Sequence, residues 1–245
     1  MIHYHGTPIG GTRQDAARFL LGRHALVPFP RRDDMGAVAE FCKSFVLDNG
    51  AFSIWKKGGS LNVPLYMDWV REWCKHPGFQ WAIIPDEIDG DEKDNDARIS
   101  TWVDAGLKLY GVPVWHLHEG IDRLVRLSEE WHTVALGSSG QWPTPGASGW
   151  WERIGEAMNA ICDKDGHPLC KLHGLRMMDP RIFMHLPLAS ADSTNAAVNA
   201  GSKSRFGSYV PATGAQRAAV IADRVESFNS APIWIGCPEQ QLMEI

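Results

Sequence analysis

The chain has 245 residues, 44% of them hydrophobic and 22% charged, with a formal net charge of −5. These figures describe a globular protein and exclude a disordered or fibrous one. The negative balance also argues against a protein that works by non-specific phosphate binding, so any nucleic-acid contact must use a local basic patch.

Short apolar runs alternate with longer amphipathic stretches. The runs are "IHYH" (2–5), "ALVPF" (25–29), "SFVL" (44–47), "WAIIP" (81–85), "VPVWHL" (112–117), "TVALG" (133–137), "CKLHG" (170–174) and "LPLASA" (186–191). Helical patterns fall between and after them: "DAARFLLG", "DMGAVAEFC", "VPLYMDWVREWC", "GIDRLVRLSEEW", "GWWERIGEAMNAICD" and "TGAQRAAVIADRVESF". The stretch "DEKDNDARISTWVDAGLKLYG" starts acidic and ends basic before Gly111, which predicts one helix along its length. Eight strand candidates, nearly all followed by a helix, predict parallel βαβ units. Eight such units in a chain of this length predict an α/β fold, a single (β/α)8 TIM-type barrel whose one catalytic domain spans 1–245. The competing fold is a doubly wound open sheet. No Gly-rich G-x-G-x-x-G follows the first strand, which weakens its dinucleotide-binding version.

A barrel collects its chemistry at the C-terminal ends of the strands. Here the first strand closes on His3-Tyr4-His5-Gly6, the third on Asp48 and the fourth on Pro85-Asp86-Glu87. The fifth closes on His116-Leu117-His118-Glu119, the sixth on Gly137-Ser138, the seventh on His173-Gly174 and the eighth on Asp192. A lone strand-end acid is more often a turn residue, and Asp48-Asn49-Gly50 is good turn chemistry. Acids closing four strands of one barrel converge on one volume, where like charges raise at least one pKa and make an acid and a base possible. Two chemistries suit such a mouth. One is displacement at a sugar anomeric carbon by paired carboxylates. The other is metal-assisted hydrolysis, in which His3, His5, a fifth-strand histidine and Asp192 resemble the ligands of metal-dependent amidohydrolases. That family also wants a histidine ending strand six, where this chain has Gly-Ser-Ser-Gly.

"LDNGAFS" (47–53), "PDEIDG" (85–90), "LHEG" (117–120), "VALGSSG" (134–140), "KLHGLRMMDP" (171–180) and "LASADSTN" (188–195) resemble, in the same order, six segments of the tRNA-guanine transglycosylases. The wording "HGTP", "DNGAFS", "HGLR" and "SADST" is more similar to the phage and genomic-island branch, DNA-guanine transglycosylases that insert a 7-deazaguanine base into DNA. The resemblance implies Asp192 as nucleophile and Asp48 as general acid/base. It implies Asp86 on the N1 and amine edge of the purine, Gly137 and Ser138 at the base carbonyl, Phe52 stacked on the base and His173 across from it. Glu119 stands where the family has a glutamine, so an ionised side chain there accepts but does not donate. Gly50 and Ala51 are then small to admit the base. Lys203 and Arg205, on the loop after Asp192, are a candidate phosphate clamp, with Lys56 and Lys57 as a weaker addition. The acidic stretch 89–98 would repel phosphate.

The family's zinc cluster has no counterpart after Asp192, where only Cys237 remains. Cys162, His167, Cys170 and His173 are the alternative zinc set. They straddle a helix end and a strand, which spoils the geometry, and no cofactor is expected. The five cysteines are odd in number and widely spaced, so no disulfide framework is expected. The eleven tryptophans are expected mainly in packing, with surface ones free to stack on bases. No apolar run approaches the roughly 18 residues that span a bilayer. "MIHYHGTPIGG" lacks a signal-peptide pattern, so a cytoplasmic protein without membrane contact is expected, in the host's cytoplasm if phage-encoded. The expected partners are DNA and a 7-deazaguanine base; missing tRNA-binding sequence disfavours a tRNA-directed enzyme.

Overall fold

The structure, a computed structural model, describes residues 1–7 and 13–237. Among these residues nine strands form one parallel sheet: β1 (Ile2–Gly6), β2 (His24–Pro28), β3 (Ser44–Asp48), β4 (Phe79–Ile83), β5 (Gly111–Val112), β6 (Val114–His116), β7 (Thr133–Gly137), β8 (Lys171–Gly174) and β9 (Ser190–Ser193). Their order is β5-β4-β3-β2-β1-β9-β8-β7-β6. The two ends of that order, β5 and β6, follow each other in the chain across Pro113. The sheet is therefore a nearly closed barrel. One predicted run, 112–117, is split in two because proline has no N–H to give a ladder. That split accounts for nine strands where eight were expected.

Among the described residues ten helices accompany the sheet: α1 (Arg13–Leu20), α2 (Met35–Phe41), α3 (Ala51–Trp55), α4 (Val63–Trp73), α5 (Glu92–Asp104), α6 (Ile121–Glu130), α7 (Ser148–Ile161), α8 (Pro180–Phe183), α9 (Asn195–Asn199) and α10 (Gly214–Glu226). Three of them, α3, α8 and α9, are only four or five residues long, too short for a periodic signal. The start of α5 follows from Asp91, whose side chain accepts from the N–H groups of Lys93 and Asp94. Its end corrects the expectation of one helix to Gly111. The helix stops at Asp104, and Gly106 takes φ +74° just beyond it. The last strand is also displaced from its predicted run. It starts at Ser190 rather than at 186, and Asp192 lies within it. Pro8 of "HGTP" lies outside the described residues.

Strand alternation divides the core. Tyr4, Leu26 and Val46 pack inside the barrel with Trp81, as do Ile83, Val112, Val114 and Ala135. A larger apolar layer joins the outside of the sheet to the helices and holds Trp102, Trp115, Trp150 and Trp151. Seven of the eleven tryptophans are buried, so most serve packing. Among the described residues no helix is long and apolar enough to cross a membrane.

Candidate active site at the C-terminal mouth

A cavity of about 350 Å³ opens at the C-terminal ends of the strands. Pleating explains its walls. Asp48 follows Ser44 and Val46 on the inward parity of β3, and Asp192 pairs in register with the inward Tyr4. His116 pairs with Gly137, and both face the cavity. A Cβ on Gly137 would lie 3.0 Å from His116 Nδ1 and 3.2 Å from Val114 Cγ1, so a glycine there leaves the imidazole its place. Leu26, Ile83 and Leu175 form the apolar part of the wall. A wider concavity of about 700 Å³ at the opposite end, around Glu129, His132 and Lys171, gathers none of the strand-end acids.

Four aspartates line the mouth cavity: Asp48, Asp86 and Asp192, with Asp89 beside Trp55. The Asp48 carboxyl is pushed up to about 8, first by burial, then by the charges of Asp192 and Asp86. Backbone N–H donation from Gly50 to Asp48 Oδ2, at 3.1 Å, opposes that shift without cancelling it. Asp86 is held from two sides. Asn49 Nδ2 donates to its Oδ1 at 2.6 Å, and His116 Nε2 lies 2.8 Å from its Oδ2. Asp192 Oδ1 accepts the backbone N–H of Arg176 at 2.9 Å. The turn after β3 serves as both turn and site. Gly50 adopts φ +75°, and a Cβ there would lie 2.4 Å from Pro30 Cδ. Its smallness answers to backbone geometry and to Pro30, and it lines the cavity together with Ala51. That turn launches α3, which brings Phe52 and Trp55 to the cavity rim.

The cavity therefore joins Asp192, Asp48, Asp86, Phe52, Gly137 and Ser138. Two expected members are not on its wall. Glu119 is fully buried outside it, accepting from Asn95 Nδ2 at 2.8 Å, the His116 N–H at 2.8 Å and Arg123 Nη1 at 2.6 Å. Those donors hold the start of α6 to α5. His173 lies one residue layer beneath the mouth, paired in register with Ala135 and Ser190. Its ring packs edge-on to Trp81 at 4.8 Å, its Nδ1 meets Ser190 Oγ at 2.9 Å, and its Nε2 stands 3.4 Å from Asp192 Oδ1. It lies beneath the aspartate and does not line the cavity.

Lys203 and Arg205 are exposed on a short 3-10 turn anchored by buried Phe206, in the connection that leaves β9. They do not line the cavity. Lys56 and Lys57 are exposed just after α3. Many acids of the 89–98 stretch are engaged locally. Asp96 pairs with Arg123 and Arg126, and Asp89 accepts from Trp55 Nε1 at 2.5 Å.

The alternative metal sets come apart. His3 and His5 have outward parity on β1, His3 against Phe183 and His5 against Phe19, with His5 Nε2 2.7 Å from Glu226 Oε1. Neither faces Asp192. Of the zinc set, His173 is turned into the barrel, while Cys162 and Cys170 remain free thiols. Burial pushes the Cys162 thiol up to about 11, with Asp163 and Cys170 adding to it. Among the described residues no group of three or more His, Cys, Asp or Glu side chains is placed to hold a metal ion.

Sequence reasoning missed three residues of the site: His116 as the partner of Asp86, Asn49 as its other partner, and Arg176. A signal existed for His116, which closes an apolar run on the inward parity. No family model, curated protein or solved structure matches the chain.

Proposed function

We propose that this protein is a base-exchange transglycosylase on a (β/α)8 TIM-type barrel, replacing guanine in DNA with a 7-deazaguanine. The observation that carries the reading is the carboxylate set. Asp192 and Asp48 line one cavity, and Asp48, pushed up to about 8 first by burial and then by the nearby Asp192 and Asp86, is held protonated near neutral pH. An acid and a nucleophile side by side are what displacement at an anomeric carbon requires.

In the first step an Asp192 oxygen attacks C1′ of the target nucleoside. The bond from C1′ to N9 breaks, its electron pair leaves with guanine, and Asp48 supplies the proton that guanine takes up. The product is an aspartyl-glycosyl ester of inverted configuration. In the second step the incoming base gives its N9 proton to the Asp48 carboxylate and attacks C1′ from the vacated side. The ester bond breaks, Asp192 is regenerated, and the original anomer returns. Asp86 accepts from the N1 and amine edge of each base, and its contacts with Asn49 and His116 leave lone pairs for that purpose. A base must leave its stack to reach this depth, so a flipped or single-stranded target is implied.

A metal-dependent hydrolase is the less supported reading, because His3 and His5 point away from Asp192. The test incubates the protein with labelled 7-cyano-7-deazaguanine and either DNA or tRNA. Label is expected in DNA and is lost in Asp192→Asn, which also fails to trap a covalent DNA adduct. Label in tRNA alone would redirect the reading to a tRNA enzyme, and label in neither polymer would overturn it.

A further inference from the structure

Arg176 is the only non-glycine described residue with positive φ, at 60°. A bulky side chain in this conformation costs on the order of 1 kcal/mol or more and marks a place where something else holds the backbone. Two contacts make it more than a local irregularity. Its N–H is the donor to Asp192 Oδ1, at 2.9 Å. Its guanidinium carbon sits over the ring of Phe52, 4.3 Å from the centroid, and both residues line the cavity. The left-handed turn thus sends the amide to the aspartate and the side chain across the cavity to the aromatic rim.

We propose that Arg176 is the movable jaw of the base site, paired with Phe52 as the fixed one. The inference rests on the reading of the cavity as a base site and names what grips the base. A guanidinium is planar and stacks on aromatic faces. In the structure it rests on Phe52. A flat heterocycle needs about 3.5 Å on each face, so a ring enters only when the guanidinium lifts. The base then has Phe52 on one face and Arg176 on the other, so one stacking contact becomes two. The amide of Arg176 stays on Asp192, so the motion is confined to the side chain. The site selects planar π-systems, and the same residue orients the aspartate and covers the base. His173 does not take this role, because it lies in the layer below.

The test measures binding of free guanine and of 7-deazaguanine to the full chain by calorimetry, with quenching of Trp55 on the cavity rim as a second readout. Arg176→Lys keeps the charge and loses the plane, and Phe52→Leu removes the other face. Melting curves show that each variant is folded. Each variant is expected to bind the bases about tenfold more weakly than the parent protein, the scale of one lost stacking face. The double variant is expected to be weaker than either single one by less than the product of the two effects. Binding by Arg176→Lys equal to that of the parent overturns the jaw while leaving the base site standing. Failure of the parent protein to bind either base overturns the base site and the jaw with it.

Discussion

Asp48 gives the cavity its pH dependence. Its carboxyl titrates near 8 in the folded protein and near 4 in an unfolded chain. Between those values the folded state holds a proton that the unfolded state has lost, so this group makes stability fall as pH rises from about 4 to about 8. Asp48→Asn removes the penalty and still offers an oxygen to the Gly50 N–H. The variant is expected to equal the parent protein near pH 4 and to exceed it by about 2–4 kcal/mol at pH 8.5, less than the full shift because the cavity side of the carboxyl meets solvent. Urea midpoints at pH 4.5 and 8.5 check this; a constant difference would show that Asp48 ionises normally. Base exchange should also decline as pH passes about 8, where the acid loses its proton. The sequence exposed Asp48, Asp86 and Asp192 because each is a polar residue ending or following an apolar run. His173 obeyed the same rule in parity but not in depth, since a strand of unknown register does not reveal which layer a residue occupies. Arg176 was illegible because backbone φ is not written in a residue's identity.

At the scale of elements, the ion pair that begins α6 belongs to the frame. Glu119 and Arg123 are both buried and bonded, and Arg123 also donates to the carbonyl of Val114 at 3.0 Å and to Asp96 at 2.9 Å. Removing Glu119 leaves Arg123 with the partly exposed Asp96 as its charged partner and strips the Asn95 and His116 donors of an acceptor. Glu119→Ala is expected to cost about 3 kcal/mol in denaturant unfolding. Base affinity measured well below the unfolding transition should stay within about twofold, because Glu119 does not line the cavity. A large loss of base affinity in a folded variant would restore Glu119 to the site. Seven of the eight predicted runs contain the observed strands to within a few residues, because hydrophobic period and strand length agree there. The eighth slid forward, since an apolar run containing Pro187 reads as strand while its ladder starts only at Ser190.

For the whole molecule, the net charge of −5 bears on the proposed polyanionic partner. The first exposed cations on the connections leaving β3 and β9 are Lys56, Lys57, Lys203 and Arg205, while the exposed Arg71 and Arg224 sit on α4 and α10. So small a set predicts weak, modestly salt-dependent DNA binding, with a log–log slope of about −2 to −4. Replacing Lys203 and Arg205 by serine should reduce the magnitude of that slope by about 2 if both meet phosphates. An unchanged slope would move the DNA path elsewhere. The barrel's closure matters at this scale too. Strands β5 and β6 are only two and three residues long, and the ring is joined between them by covalent chain at Pro113 rather than by a ladder. Asp86 follows β4 on one side of that seam and His116 ends β6 on the other, so their 2.8 Å contact is a stitch across it. Whatever occupies Asp86 pulls on the stitch. On the proposed function a bound base is then a fastener too, and amide hydrogens of Ile84, Trp115 and His116 should exchange more slowly when the cavity is filled.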